Sequence, residues 1–172
     1  MNIHSKSISM RFVDVSDAEF ILKLRMDQRY NRFLSPVSPC IQTQREWIEE
    51  YKEDERAGRQ FYFIIERNDC TPCGTVRIYD LSEEFFSWGS WILNEDKTRL
   101  AALESAFLVY EFGFDRLGYS KSRFDVRKEN ERVISFHEKM GAIRIGEDAK
   151  NFYFEINKCA VNEASLRLLK AT

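Results

Sequence analysis

The order of three consecutive segments near the middle of the chain constrains the fold more than any other feature of the sequence. A strand-like run, "FFSWGSWIL", precedes a long segment in which apolar residues recur at steps of three and four. That spacing is typical of a helix with one buried face. A second strand-like run, "SKSRFDV", follows the helix. Two strands joined by a crossover helix pair in parallel, so the sequence predicts a parallel pair within a sheet.

A different arrangement precedes these three segments. The runs "FYFIIER", "GTVRIYD" and "FFSWGSWIL" are separated only by "NDCTPC" and "LSEE", and such short connections favour an antiparallel meander. We therefore expect an α/β fold with a mixed, twisted sheet of about seven strands and about four helices. No linker, internal repeat or low-complexity segment interrupts the 172 residues, so we expect one domain over residues 1–172.

The other segments are assigned from their periodicity and from their end signals. "ISMRFVDV" is typical of a first strand, and a helix is expected through "DAEFILKLRMDQRY". Thr43 is expected to cap a second helix that Gly58 ends, and Asn130 to cap a short helix that Gly141 ends. The runs "AIRIG" and "NFYFEI" are expected to form two closing strands.

Composition limits the kinds of partner. Lys and Arg number 26 against 28 Asp and Glu, a formal net charge of -2, so no general attraction to nucleic acid is expected. The N-terminal "MNIHSKSISMRF" lacks the apolar segment of a signal peptide, and no apolar run reaches transmembrane length. We expect a cytoplasmic protein without a membrane partner, either a monomer or a homodimer.

The cysteines offer one possible metal or redox motif, "CTPC" at Cys70 and Cys73. The spacing suits a metal, but no second close pair of ligands accompanies it. The surrounding "NDCTPCG" is rich in turn-forming residues, and a hairpin turn explains it equally well.

The loop "NEDKTR" joins the third strand of the meander to the long helix, at the place where a mixed sheet gathers ligands. The first backbone amides of a helix lack partners and carry partial positive charge, which suits a phosphate. Lys97 and Arg99 are unfavourable at a helix start unless an anion compensates them, and Thr98 offers a hydroxyl. The alternative is a solvated loop in which Asn94 and Asp96 cap the helix.

The whole order of elements, and the spacing from "WIL" through "FGFDRLGYSKSRFDV" to "KENERVISFHEKMGA", resemble the Gcn5-related N-acetyltransferases (the GNAT superfamily). The resemblance extends over roughly residues 8 to 156. It implies direct transfer of an acetyl group from acetyl-CoA to a primary amine, without a metal. The family's pyrophosphate-binding pattern, Q/R-x-x-G-x-G/A, falls on residues 97–102, with Leu100 in place of the first glycine.

The resemblance also implies a set of site residues. Cofactor contacts are expected from the end of the strand, the loop, the helix start and a second motif: Ile92, Leu93, Asn94, Lys97, Thr98, Arg99, Leu100, Ala101, Ala102, Leu103, Asn130 and Phe136. The family's usual acid, a Tyr that reprotonates the CoA thiolate, falls on His137, whose imidazole has a suitable pKa. The alternative is a packing role, since His137 shares an apolar face with Val133, Phe136 and Met140.

Two subgroups of the family resemble the chain through "LKLRMDQRYNRFLSP" and "QREWIEEYKED": enzymes that acetylate amino sugars on nucleotides, and ribosomal-protein N-terminal alanine acetyltransferases. "EDAKNFYFEI" favours the first, so we expect a small-molecule amine acceptor, possibly nucleotide-linked. Arg25, Trp88 and Ser90 are the candidate acceptor contacts, with sheet core as the alternative for Trp88. The candidate bases are Glu83, Glu84, or a water relayed by Ser90 or by a backbone carbonyl. A non-catalytic acyl-CoA sensor is the remaining alternative.

Overall fold

The structure is a computed structural model, and it describes residues 1–169. The described chain forms eight strands and five α-helices. The strands are β1 (Asn2–His4), β2 (Ile8–Phe12), β3 (Phe61–Arg67), β4 (Pro72–Tyr79), β5 (Phe85–Leu93), β6 (Lys121–Arg127), β7 (Ile143–Glu147) and β8 (Asn151–Asn157). The helices are α1 (Ala18–Met26), α2 (Ile41–Arg56), α3 (Ala101–Glu111), α4 (Glu131–Lys139) and α5 (Lys158–Leu168).

The chain forms two compact units. The first contains Met1–Asp80 and Gly89–Leu108. Its strands follow one another in the order β1-β2-β3-β4-β5, and β1 to β4 pair antiparallel, as the short connections predict. Backbones approach closely between β4 and β5, because a Cβ atom on Gly74 would overlap the carbonyl oxygen of Ile92.

One face of the first unit carries α1 and α2. Their apolar side chains pack onto β3 and the end of β2 in a buried cluster of Val13, Ala18, Ile21, Ile48, Tyr51, Tyr62 and Ile64. Tyr51 fixes the helix to the sheet, because its hydroxyl accepts from the Tyr62 amide at 2.7 Å and donates to Glu55 at 2.5 Å. Burial and the Glu55 contact raise the pKa of Tyr51, so this phenol stays protonated.

The second unit contains Leu81–Trp88 and the described chain from Val109 onward. The start of β5 pairs in parallel with β6 through Phe85–Lys121 and Phe86–Ser122. β6 pairs antiparallel with β8, and β8 with β7. After α3 the chain widens into a π-helical segment, Phe112–Arg116, where Gly113 lies against the Phe86 ring.

These elements confirm the α/β fold with a mixed sheet. The bounds of β3 and β5 agree with the runs that predict them. The prediction that Thr43 caps α2 is wrong, because the helix starts at Ile41 and Cys40 is its N-cap residue. The first helix ends at Met26 rather than Tyr30, since Asp27 is already extended. β1 and α5 were not expected from the sequence.

No helix in the described part of the chain has the length and apolar character needed to cross a bilayer.

Candidate functional site

An irregularity in β5 lies three residues before its end. Ser90 has a φ of +47°, a left-handed conformation that is uncommon for a residue other than glycine. Its carbonyl oxygen accepts a hydrogen bond from Thr75 Oγ1 at 3.4 Å. Such irregularities interrupt the regular ladder and redirect the backbone groups that follow. The candidate contacts Ile92 and Leu93 belong to that redirected end of β5, where Ile92 is buried and Leu93 half-buried.

The loop after β5 makes some of its own hydrogen bonds and leaves other amides unused. The Asn94 amide donates to Cys73 O at 2.8 Å, and the Ala101 amide donates to Thr98 O at 3.2 Å, so these two are not available to a ligand. Among the described residues, no acceptor meets the backbone amides of Arg99, Leu100, Ala102 and Leu103. These four amides surround the start of α3, as a phosphate-binding helix start requires.

The cations of this loop are available for a ligand. Lys97 and Arg99 are both exposed, and neither side chain forms an ion pair within the described chain. Leu100 is half-buried and is not among the non-glycine residues with positive φ in the described chain, which are Cys70, Asp80 and Ser90. Replacing the family's glycine by Leu100 therefore imposes no backbone strain at this position.

A buried carboxylate holds the start of α3. Glu104 is 2% exposed and accepts hydrogen bonds from Ser5 Oγ at 3.0 Å, from the Ser7 amide at 3.0 Å and from Ser7 Oγ. Ser7 Oγ also lies 2.7 Å from Thr98 Oγ1 in the loop. The network fixes the turn between β1 and β2 to the loop and to the first turn of α3. Glu104 was not among the site residues expected from the sequence, although a carboxylate within the apolar stripe of a helix is a signal of such a role.

The segment between α1 and α2 contacts the same loop. Tyr30 Oη donates to Glu95 Oε2 at 2.6 Å, and Arg29 Nη2 lies 3.5 Å from Glu95 Oε1. The hydrogen bond to Glu95 raises the pKa of Tyr30, and the same bond lowers the pKa of Glu95. Arg25 is committed to this segment, because its Nη2 donates to Ser35 O at 2.9 Å.

The second unit holds the other candidate residues. Asn130 is the N-cap residue of α4, but its side chain makes no capping hydrogen bond. Phe136 is half-buried on α4, with its ring centroid 5.6 Å from that of His137. Gly141 ends the helix with a φ of +98°, as expected.

His137 lies inside an aromatic cluster. It is 4% exposed, and its ring centroid is 4.3 Å from that of Phe124 and 5.3 Å from that of Trp88. Burial lowers the pKa of His137 to about 3, because the imidazolium would lose its hydration. At neutral pH the imidazole is uncharged, and a neutral imidazole is a poor proton donor. These contacts favour the packing interpretation of His137 over the acid.

Trp88 belongs to the same cluster. It is 3% exposed, and its ring meets Tyr110 at 5.5 Å and Phe124 at 5.8 Å. Its surroundings favour the sheet-core alternative over acceptor binding. The candidate bases Glu83 and Glu84 line an open, mainly polar cavity of about 370 Å³ with Tyr119 and Lys121. They precede β5, whereas the loop with Lys97 follows it.

The cysteines of "CTPC" occupy the β3–β4 hairpin. Cys70 is exposed with a φ of +65°, and Cys73 is buried in β4, where burial raises the pKa of its thiol to about 11. Within the described residues, no three His, Cys, Asp or Glu side chains come together as metal ligands would.

Comparisons with known proteins agree on one family. The model of the acetyltransferase (GNAT) domain matches residues 8–143. The solved structure of apo FdhC, a nucleotide-linked sugar GNAT, is 46% identical, with 99% of this chain and 97% of that chain covered and a TM-score of 0.91. A SPbeta prophage-derived N-acetyltransferase, YokL of Bacillus subtilis (strain 168), is 28% identical over 105 residues. That match covers 60% of this chain and only 57% of YokL.

More distant structures share the fold. Ribosomal-protein-S5-alanine acetyltransferase from Vibrio fischeri is 14% identical, with coverages of 91% and 96% and a TM-score of 0.79. Spermidine N-acetyltransferase from Vibrio cholerae, in complex with CoA and spermine, is 16% identical, with coverages of 90% and 98% and a TM-score of 0.76.

Proposed function

The chain belongs to the GNAT family of acetyltransferases, and we propose that it transfers the acetyl group of acetyl-CoA to the primary amine of a nucleotide-linked amino sugar. The observation that carries the acceptor is the 46% identity to FdhC over 99% of this chain. Because the match covers almost the whole chain, it includes the segments that would bind the acceptor as well as those that would bind the cofactor. We also propose that residues 1–172 act as one N-acetyltransferase domain.

The start of α3 supports acetyl-CoA as the donor. Four amides without acceptors and two exposed cations, Lys97 and Arg99, suit the two negative charges of a pyrophosphate. Thr98 is held in the loop beside them by its hydrogen bond to Ser7. We also propose Asn130, whose side chain makes no capping hydrogen bond, as a cofactor contact. The residues present therefore fit the cosubstrate that the GNAT family uses.

Acetyl transfer asks three things of the chain: an amide to polarise the acetyl carbonyl, a neutral amine, and a route for the proton that the amine loses. We propose that a backbone amide of residues 91–93 donates to the acetyl oxygen, since the Ser90 irregularity redirects this end of β5. The amine nitrogen then attacks the carbonyl carbon, the carbon–sulfur bond breaks, and the amine proton ends on the departing sulfur through water.

We assign His137 to packing rather than to this proton transfer. An imidazole that is 4% exposed and surrounded by Trp88 and Phe124 is largely shielded from solvent. CoA can be released without a side-chain acid, because a thiol with a pKa of about 8.5 leaves as a fairly stable thiolate and then takes up a proton from water.

Protein N-terminal alanine is the rival acceptor, but the alanine acetyltransferase that resembles the chain is only 14% identical and indicates the fold alone. The test measures CoA release as free thiol with acetyl-CoA and either nucleotide-linked amino sugars or peptides beginning with alanine. We expect a higher kcat/KM for the sugars by at least tenfold. A preference for the peptide contradicts the acceptor assignment, and acetyl-CoA binding without turnover on any amine identifies a sensor.

A further inference from the structure

Arg77 differs from the comparable arginines of the sheet. Four arginines on the described strands are half-buried: Arg11, Arg67, Arg77 and Arg123. Three of them pair with carboxylates, at 2.8 Å for Arg11–Asp17, 2.7 Å for Arg67–Asp69 and 2.8 Å for Arg123–Glu155. The Arg77 side chain has no ion pair and no hydrogen bond within the described chain, and its Nε is fully buried. A donor that is shielded from water and meets no acceptor is unfavourable, and a bound anion would supply the acceptor that Arg77 Nε lacks.

Tyr79 orients the guanidinium. The Arg77 Cζ atom lies 4.8 Å from the centroid of the Tyr79 ring, two residues further along the same face of β4. Stacking on an aromatic ring leaves the in-plane N–H groups of arginine free to donate outward. Tyr79 itself lies over β5, where a Cβ on Gly89 would come within 2.8 Å of the Tyr79 hydroxyl. The pair therefore lies beside the residue that precedes the Ser90 irregularity.

A second buried polar atom faces the same way. Tyr62 is the direct cross-strand partner of Arg77, so both side chains project from one face of the sheet. Tyr62 is 2% exposed, and its hydroxyl also meets no partner within the described chain. Its ring packs edge-on against Trp47 of α2 at 5.7 Å. Arg77 therefore lies on the face that carries α1 and α2.

This position is distinct from the proposed pyrophosphate site. Asn94 in the loop donates to Cys73 O, and Arg77 is four residues further along β4, about 13 Å away at the usual rise of a strand. A cofactor pyrophosphate bound at Lys97 and Arg99 therefore does not supply the anion for Arg77. The group at Arg77 is a forked cation, which suits a diphosphate with its several acceptor oxygens.

We propose that Arg77, oriented by Tyr79, binds the diphosphate of the nucleotide-linked acceptor and thereby selects nucleotide-linked over free amino sugars. This inference rests on the proposed function for the identity of the acceptor. It assigns to a single side chain the discrimination between an amine that carries a diphosphate and one that does not.

The first experiment measures binding of uridine 5′-diphosphate and thymidine 5′-diphosphate, each alone, to the CoA-loaded protein by calorimetry. We expect at least one of them to bind, and Arg77→Gln to weaken it tenfold or more while CoA affinity is unchanged. Arg123→Gln is the matched control, because Arg123 also lies over a ring, at 4.7 Å from Phe85, but is ion-paired. Uridine without phosphates should bind weakly and equally to all three proteins.

The second experiment compares kcat/KM for one amino sugar with and without its nucleotide. Arg77→Gln should lower the value for the nucleotide-linked sugar tenfold or more and leave the free sugar unchanged. Equal losses on both sugars, or unchanged nucleoside diphosphate binding in Arg77→Gln, would overturn the inference, as would no binding to the native protein. Loss of diphosphate binding in Arg77→Gln, with no turnover of any nucleotide-linked sugar by the native protein, supports the subsite and contradicts the proposed function. Arg77→Lys, which keeps the charge without the fork, provides a second folded variant.

Discussion

Ser7 Oγ lies 2.7 Å from Thr98 Oγ1 and also donates to the buried carboxylate of Glu104. One small side chain in the turn between β1 and β2 thus connects the candidate phosphate loop to the first turn of α3. Residues 91 positions apart in the sequence are joined by this contact. The position of the loop depends on the N-terminal hairpin as well as on the helix that follows it.

Glu104→Gln tests that dependence. Glutamine keeps the size of the side chain but replaces one acceptor oxygen with a donor, which opposes the hydrogens of Ser5 and Ser7. We expect a loss of about 1–3 kcal/mol in the free energy of unfolding, measured with urea, and a raised KM for acetyl-CoA. Glu49→Gln, at an exposed position on α2, is the control for removing one carboxylate charge and should change neither quantity. An unchanged KM for acetyl-CoA would mean that Glu104 does not position the loop.

Lys97→Glu and Arg99→Glu test the cofactor site. Each reverses one exposed charge near the proposed pyrophosphate, so we expect the KM for acetyl-CoA to rise about tenfold, which is about 1.4 kcal/mol. The thermal unfolding temperature should stay unchanged, since both side chains are exposed. Arg45→Glu on α2 reverses an exposed charge outside the loop and should alter neither quantity. If both loop variants keep the native KM, the pyrophosphate binds elsewhere.

His137 should make the protein sensitive to acid. Its pKa falls from 6.5 to about 3 on folding, so below pH 6.5 the unfolded chain binds a proton that the folded chain does not. The neutral His137 side chain therefore contributes its full share to the free energy of unfolding above pH 6.5. As the pH falls from 6.5 toward 3, that contribution is lost by about 1.4 kcal/mol per pH unit. We expect His137→Phe to remove this slope when unfolding is followed from pH 7 to pH 4.

The same variant tests the role of His137 in the reaction. A general acid contributes about 10²–10⁴-fold to the rate, whereas a packing residue of similar shape can be exchanged with little effect. We expect the kcat of a folded His137→Phe protein to change less than threefold. A hundredfold drop in kcat with an unchanged KM for acetyl-CoA would instead support His137 as the general acid.

Gly113→Ala should destabilise the second unit. A Cβ at this position would overlap the ring of Phe86, and overpacking of this kind costs about 1–3 kcal/mol. Gly146→Ala is the matched control, because its Cβ would meet only Tyr153 Cδ2 at an ordinary 3.8 Å. We expect thermal unfolding temperatures to fall for the first variant and to stay within error for the second.

The sequence predicts the strands of this fold better than the ends of its helices. β3 and β5 have the bounds of the apolar runs because turn-forming residues limit those runs on both sides. α1 ends earlier than its pattern because Asp27 turns the chain and binds Arg29, a local interaction that periodicity does not report. α2 begins earlier than Thr43 because Cys40, a residue rarely read as a cap, occupies the N-cap position.

Some residues of the candidate site can be predicted from the sequence and others cannot. The loop at Lys97 is visible in the sequence because charge at a helix start is unusual and because the family pattern falls there. The role of Arg77 cannot be predicted from the sequence, because "GTVRIYD" shows an arginine in a strand but not whether a carboxylate pairs with it. For His137 the sequence predicts a role that the structure does not favour. Its place in the motif indicates an acid, and only its aromatic neighbours indicate a core residue.

Two of the crowded glycines, Gly113 and Gly74, set different evolutionary limits. At Gly113 the obstacle is a side chain, so a lineage that shortens Phe86 gains the freedom to enlarge position 113, and the two positions should vary together. At Gly74 the obstacle is the carbonyl oxygen of Ile92, which every amino acid carries. No second substitution relieves that overlap, so in descendants of this chain position 74 should remain glycine while its neighbours drift.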